Sequence, residues 1–145
     1  MKLLELFKGT GSVGTACQNL FDEIISLDRE EKWQPTIVAD ILEWDYTIYP
    51  PGHFDYIWAS PPCTEYSIIK QSFHFPQNLE YANQIVQRVL QIIEYFKPQI
   101  WFIENPQSGL LKNQSFMRNL SYIDCDYCLY SDIRWWSCVE GLWGN

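Results

Sequence analysis

"NLEYANQIVQRVLQIIEYFKPQIWFIE", residues 78–104, changes its hydrophobic period part-way, and that change decides the fold. Over 78–97, Leu79, Ala82, Ile85, Val86, Val89, Ile92, Ile93 and Phe96 recur at spacings of three and four. This is the stripe of a helix broad enough to cover a sheet. Asn78 suits the cap at its start, Lys97 suits its negative end, and Pro98 stops it. "IWFIE" (100–104) follows at once as a strand that breaks at Asn105-Pro106. Upstream, "FDYIWA" (54–59) is a strand stopped by Pro61 and Pro62.

The rest of the chain repeats this alternation. "LLELF" (3–7) is a short strand, and "KGTGSVGTACQNL" is a glycine turn followed by a helix carrying Val13, Ala16, Cys17 and Leu20, with Ser12 or Thr15 as its cap. "EIISLD" (23–28) is a strand closed by an acid, and "REEKWQP" is a connection with a short helix ended by Pro35. "TIVADI" (36–41) is a further β-branched run, and "SYIDCDY" (121–127) a sixth strand. Short apolar strands separated by helices predict an α/β protein: a doubly wound, mostly parallel sheet with helices on both faces. A single domain, 1–145, is expected for 145 residues.

Composition narrows the function. With 47% hydrophobic and 17% aromatic residues the chain is too apolar for disorder. No run of eighteen apolar residues is present, so no membrane partner is expected, and Glu5 and Lys8 interrupt the only leader-like stretch. Five cysteines (17, 63, 125, 128, 138) are odd in number and irregularly spaced, which fits an intracellular, reducing compartment. Cys125 and Cys128 form a lone CxxC; with only His53 and His74 beside it, two core or surface thiols are expected rather than a metal site. The net charge of −8 is the wrong sign for a whole-surface grip on nucleic acid, so any such function rests on a local patch or on another part of the assembly.

Ligands of such sheets bind beyond the carboxyl ends of the strands. The residues at those ends are Gly9, Gly11, Asp28, Asp40, Cys63 and Glu104. Gly9, Gly11 and Gly14 permit a sharp reversal and close approach of backbone to a ligand, although a glycine turn alone would look the same. Asp28 is placed to accept both hydroxyls of a ribose, and Asp40 to meet an adenine amino group; each acid taken singly also reads as a cap. An adenosyl sulfonium suits this set better than a nicotinamide cofactor, because nothing resembles a hydride-transfer dyad and the fourth strand delivers a thiol. Cysteine with a nearby carboxylic acid is the equipment for covalent catalysis on a pyrimidine: thiolate adds at carbon 6 while the acid neutralises charge building on the ring.

At these residues the sequence resembles the cytosine-5 DNA methyltransferases, and is most similar to their short virus- or phage-like members. "LFKGTGSVG" matches their glycine-rich cofactor loop, "SPPCTEYS" their Pro-Cys nucleophile loop, and "ENP" (104–106) their Glu-Asn-Val segment. The resemblance implies a Rossmann-like methyltransferase fold, shortened at its carboxyl end and lacking the target-recognition region. It implies S-adenosyl-L-methionine as cofactor, held by Phe7, Gly9, Gly11, Gly14, Asp28, Asp40 and Pro61. It assigns catalysis to Cys63, Glu104 and Pro62, with Arg134 as the only arginine available for the base-holding role, and requires no metal. The partner implied is double-stranded DNA with a flipped cytosine, the loop "TEYSIIKQSFHF" closing over it. A second copy or second chain would supply target recognition, and a viral member would work in the host cytoplasm or nucleus. A catalytically silent methyltransferase-like binding module is the alternative. Trp135, Trp136 and Trp143 are expected to pack back onto the sheet.

Overall fold

The computed structural model describes residues 1–73, 75–126 and 139–145. Seven strands form one sheet: β1 (Lys2–Leu6), β2 (Glu23–Asp28), β3 (Ile37–Val38), β4 (Tyr56–Ala59), β5 (Ile100–Pro106), β6 (Tyr122–Asp126) and β7 (Val139–Gly144). Their spatial order is β3-β2-β1-β4-β5-β7-β6. β1 to β5 pair in parallel, while β7 runs antiparallel to both neighbours. Strand order reverses between β1 and β4, so the loops leaving those two strands part and leave a crevice at their carboxyl ends.

The helices are α1 (Ser12–Cys17), α2 (Ile68–Ser72) and α3 (Leu79–Phe96). α3 is the helix expected from the stripe. Asn78 caps it by accepting from Tyr81 N–H, and Lys97 closes it in the left-handed region at φ 49°. Val86, Val89, Ile92 and Phe96 are fully buried against Leu4, Leu6 and Ile57. Each such side chain contributes about 1.5–3 kcal/mol. Because side chains alternate along β1, Glu5 points the opposite way, toward α1. The two faces thus carry helices, as the pattern required.

Four details depart from the sequence expectations. β3 holds only two residues, because from Ala39 the chain turns around Asp40, whose carboxylate accepts from Leu42 N–H. α1 has Gly11 as N-cap with no side-chain cap, and it stops at Cys17, leaving Leu20 exposed. β5 does not break at Asn105-Pro106; it runs on to Pro106, opposite Glu140. β7 was not foreseen. Its Trp143 is buried, as expected of the aromatic tail, whereas Trp135 and Trp136 lie outside the described residues.

No helix among the described residues is long and apolar enough to cross a membrane.

Candidate active site

The loop after β1 is bent by three left-handed residues, Phe7 (φ 60°), Gly9 (φ 49°) and Gly11 (φ 71°). Phe7 carries a side chain there, at a cost of about 1–3 kcal/mol. Bonds on either side hold the bend: Lys8 N–H donates to Leu27 O at 3.0 Å, Gly9 N–H to Asp28 Oδ2 at 2.9 Å, and Gly11 N–H to Lys8 O at 2.8 Å. The bend brings Phe7 to a hollow of about 100 Å³ shared with Asp28, Asp40, Ile41 and Pro62. A second hollow, of about 330 Å³, adjoins it through Arg29, Pro62, Tyr81 and Ile85.

Asp28 does more than face this space. Its Oδ1 accepts from Glu30 N–H at 2.9 Å while Oδ2 holds Gly9, so the acid ties the ends of β1 and β2 together. Each oxygen retains a lone pair for a ligand hydroxyl.

Gly11 and Gly14 sit elsewhere. They line a polar hollow on the α1 face with Glu5, Lys8, Ser26 and Thr36. Gly14 N–H donates to Glu5 Oε1 at 3.2 Å, and a Cβ at Gly14 would lie 2.7 Å from Glu5 Oε2. Glu5 is buried, and that burial pushes its carboxyl above the usual range against the opposing pull of the Gly14 amide and Lys8. Its part in shaping the loop was missed from sequence, although an acid inside an apolar strand was the available signal.

Beyond β4 and β5 lies a third hollow, of about 270 Å³, lined by Ser60, Pro62, Cys63, Glu104, Asn105 and Glu140. Adjacent parallel pairing of β4 with β5 puts the Cys63 loop beside Glu104, the neighbourhood that the sequence reading required. Trp58 Nε1 donates to Ser60 Oγ at 2.8 Å, and Ser60 Oγ donates to Glu104 Oε2 at 2.7 Å. Asn105 Nδ2 donates to Pro61 O at 2.9 Å and locks the two loops together. The Cys63 thiol is open to solvent, yet nearby protein atoms still desolvate it and push its pKa up, with the carboxylates of Glu140 and Glu104 adding to the effect. The structure departs from the expectation for Pro61 and keeps Pro62 beside Cys63. Pro61 faces the Cys63 hollow and not the Phe7 hollow, while Pro62 lines both. Arg134 lies outside the described residues.

After Cys63 the chain makes a 3-10 turn, Thr64–Tyr66, and then α2. Glu65 staples this excursion, accepting from Lys70 Nζ at 2.5 Å and from Asn78 N–H at 2.6 Å. Phe73 and Phe75, just after α2, stand exposed with their rings side by side.

This arrangement of loops accompanies a family match over residues 1–123, to C-5 cytosine-specific DNA methylase. The chain belongs to that family. A relative from Frog virus 3 (isolate Goorha), the "Probable DNA (cytosine-5)-methyltransferase", is 32% identical over 167 aligned positions, covering 98% of this chain and 72% of the viral protein. Among solved structures, the Entamoeba histolytica methyltransferase EhMeth is similar with a TM-score of 0.71 at 16% identity, over 99% of this chain and 52% of that one. A prophage-encoded chain from E. coli gives 0.71 at 17% identity, over 99% and 46%. The N-methyltransferase NodS from Bradyrhizobium japonicum gives 0.61 at 9%, over 99% and 83%. This chain thus spans about half the length of the first two structures. The fold is the Rossmann-like one of S-adenosylmethionine-dependent methyltransferases.

The hollows around Phe7 and Cys63 fall in two groups by position, one at the β1–β2 ends and one at the β4–β5 ends. Of the residues lining the Cys63 hollow, sequence reasoning singled out Cys63 and Glu104 but not Ser60, Asn105 or Glu140. Ser60 and Asn105 lie within the quoted motifs "SPPCTEYS" and "ENP", and only hydrogen-bond geometry distinguishes them. Glu140 could not be found without knowing that β7 lies next to β5.

Proposed function

We propose that this chain methylates carbon 5 of cytosine in DNA, taking the methyl group from S-adenosyl-L-methionine through a covalent Cys63 adduct. The observation that carries the reading is that Cys63 and Glu104 line one hollow, with Pro62 forming the wall between it and the Phe7–Asp28–Asp40 hollow. The residues fit the cofactor. Phe7, Ile41 and Pro62 supply apolar walls for an adenine, and Asp28 and Asp40 supply acceptors for hydroxyl and amino groups. When bound, the cofactor supplies an electrophilic methyl group.

Cys63, once deprotonated, adds to carbon 6 of a flipped cytosine. Glu104, oriented by Ser60, gives its proton to nitrogen 3, and the electron pair released into the ring makes carbon 5 nucleophilic. After carbon 5 has taken the methyl group it loses its hydrogen as a proton. The carbon 5–carbon 6 double bond reforms, the C–S bond breaks, and the nitrogen 3 proton returns to Glu104. DNA is the partner. With a chain charge of −8, its phosphates are gripped by a local patch or by a second copy or chain.

The same net charge and the elevated thiol favour a second reading, a silent cofactor- or protein-binding module. Unmethylated double-stranded DNA of mixed sequence containing 5-fluorocytosine separates the two. Fluorine cannot leave carbon 5 as a cation, so the active enzyme is trapped as a denaturant-stable adduct in the presence of cofactor. Cys63→Ala is expected to form none while still binding cofactor. Cofactor binding by the wild type with no adduct on any DNA overturns the proposal.

A further inference from the structure

The cycle above needs a base for the carbon 5 proton, and Cys63 and Glu104 are both engaged when that proton must leave. We propose that Glu140 is the base that removes the carbon 5 proton from the methylated adduct. This inference rests on the function proposed above.

Three observations carry it. Register places Glu140 opposite Pro106 on β5, and Glu104 lies two residues from Pro106 on the same face. The two acids are therefore diagonal neighbours across an antiparallel pair, a spacing within reach of long side chains. Glu140 lines the hollow that holds Cys63 and Glu104, and it is absent from the walls of the Phe7 hollow. Last, Glu140 is half-withdrawn from water. That burial first, and the charge of Glu104 second, raise its proton affinity above that of an ordinary carboxylate, in the direction that makes a better base near neutrality.

The geometry matches the stereochemical demand of the step. A methyl group arriving from the Phe7 side turns the carbon 5 hydrogen toward the opposite face of the ring, where Cys63 has added. A base in the Cys63 hollow meets that hydrogen, whereas one in the Phe7 hollow would not. The step balances: the C–H pair becomes the carbon 5–carbon 6 π bond, the C–S pair leaves with Cys63 as thiolate, and the proton passes to Glu140 and then to water. Cys125 on β6 pairs with Glu140 in register, but it is absent from the walls of the Cys63 hollow.

The test separates proton removal from thiol addition. Adduct formation on 5-fluorocytosine DNA needs no carbon 5 base, so Glu140→Gln is expected to trap at least as fast as wild type, since one negative neighbour of the thiol is gone. Exchange of the carbon 5 hydrogen for deuterium, followed by mass spectrometry on ordinary mixed-sequence DNA in D2O without cofactor, does need the base. There deuterium enters from water in the open Phe7 hollow and the original hydrogen leaves toward Glu140. That exchange is expected to fall about 100-fold or more in Glu140→Gln, within the range of positioned acid–base groups, and to recover partly in Glu140→Asp. With cofactor added, Glu140→Gln is further expected to accumulate methylated covalent complex on ordinary cytosine. Undiminished exchange in Glu140→Gln, or failure of that variant to trap, overturns the assignment of Glu140 alone. Failure of the wild type to trap overturns the proposed function and the assignment with it.

Discussion

Gly14→Ala sets two effects of opposite sign against each other. Gly14 lies inside α1, where helix propensity alone would favour alanine by up to about 1 kcal/mol. The tertiary contact opposes this. The new Cβ would sit 2.7 Å from Glu5 Oε2, well inside van der Waals contact. Glu5 cannot swing aside freely, because it is buried and its Oε1 accepts from Gly14 N–H. Overpacking of this kind costs about 1–3 kcal/mol, and weakening a bond to a charged group about 1.5–3 kcal/mol. Net of propensity, a loss of roughly 2–4 kcal/mol is expected, or about 6–12 °C in Tm for a chain of this size. The assay is a double-mutant cycle by urea unfolding, with Gly14→Ala made in wild type and in Glu5→Ala. In the second background the clashing oxygen is gone and the alanine is expected to be neutral or stabilising. Equal costs in both backgrounds, or a wild-type cost below about 0.5 kcal/mol, would refute the reasoning.

Glu5→Gln is expected to change the pH dependence of stability. The folded-state value of Glu5 lies above its ordinary 4.5, so the folded form holds the extra proton, and stability present below 4.5 is lost as pH rises through the folded value. Urea midpoints taken from pH 4 to pH 8 should fall less in the variant than in wild type. Ser60→Ala removes a donor to Glu104 and should slow 5-fluorocytosine trapping about 10–100-fold, by loss of a bond worth roughly 1.5–3 kcal/mol. Cofactor affinity should be unchanged, because Ser60 lines the Cys63 hollow and not the Phe7 hollow. Gly144→Ala places a Cβ 2.3 Å from Trp101 O, a backbone atom of β5 that cannot yield. Its expected cost exceeds about 3 kcal/mol, and hydrogen exchange should show the amides of 139–144 deprotected.

The parallel half of the sheet was legible because each strand there is a short apolar run and α3 carries its stripe without interruption. Cys63 and Glu104 were legible for a related reason, since each lies near the carboxyl end of a strand, Cys63 in the loop after β4 and Glu104 close to the end of β5. β7 was not legible. "VEGLWG" contains two glycines, which argue against a strand. Yet a Cβ at Gly141 would meet the rings of Tyr122 and Trp143 at 2.7 and 2.9 Å, so glycine is what lets those aromatics pack. The placement of Pro61 was illegible too, because it depends on the direction in which the chain leaves β4. Asn105, with its side chain turned back to the Pro61 carbonyl, fixes that direction.

The insertion of β7 between β5 and β6 also imposes an order in time. A nascent chain leaving the ribosome displays Cys63 and Glu104 while the wall that Glu140 provides is still unmade. That wall is complete only when residues 139–144 have paired with β5 and β6, both of which precede them in the chain. Under the proposed mechanism, nucleobase chemistry therefore awaits the seating of β7, which serves as a completion check on the Cys63 hollow.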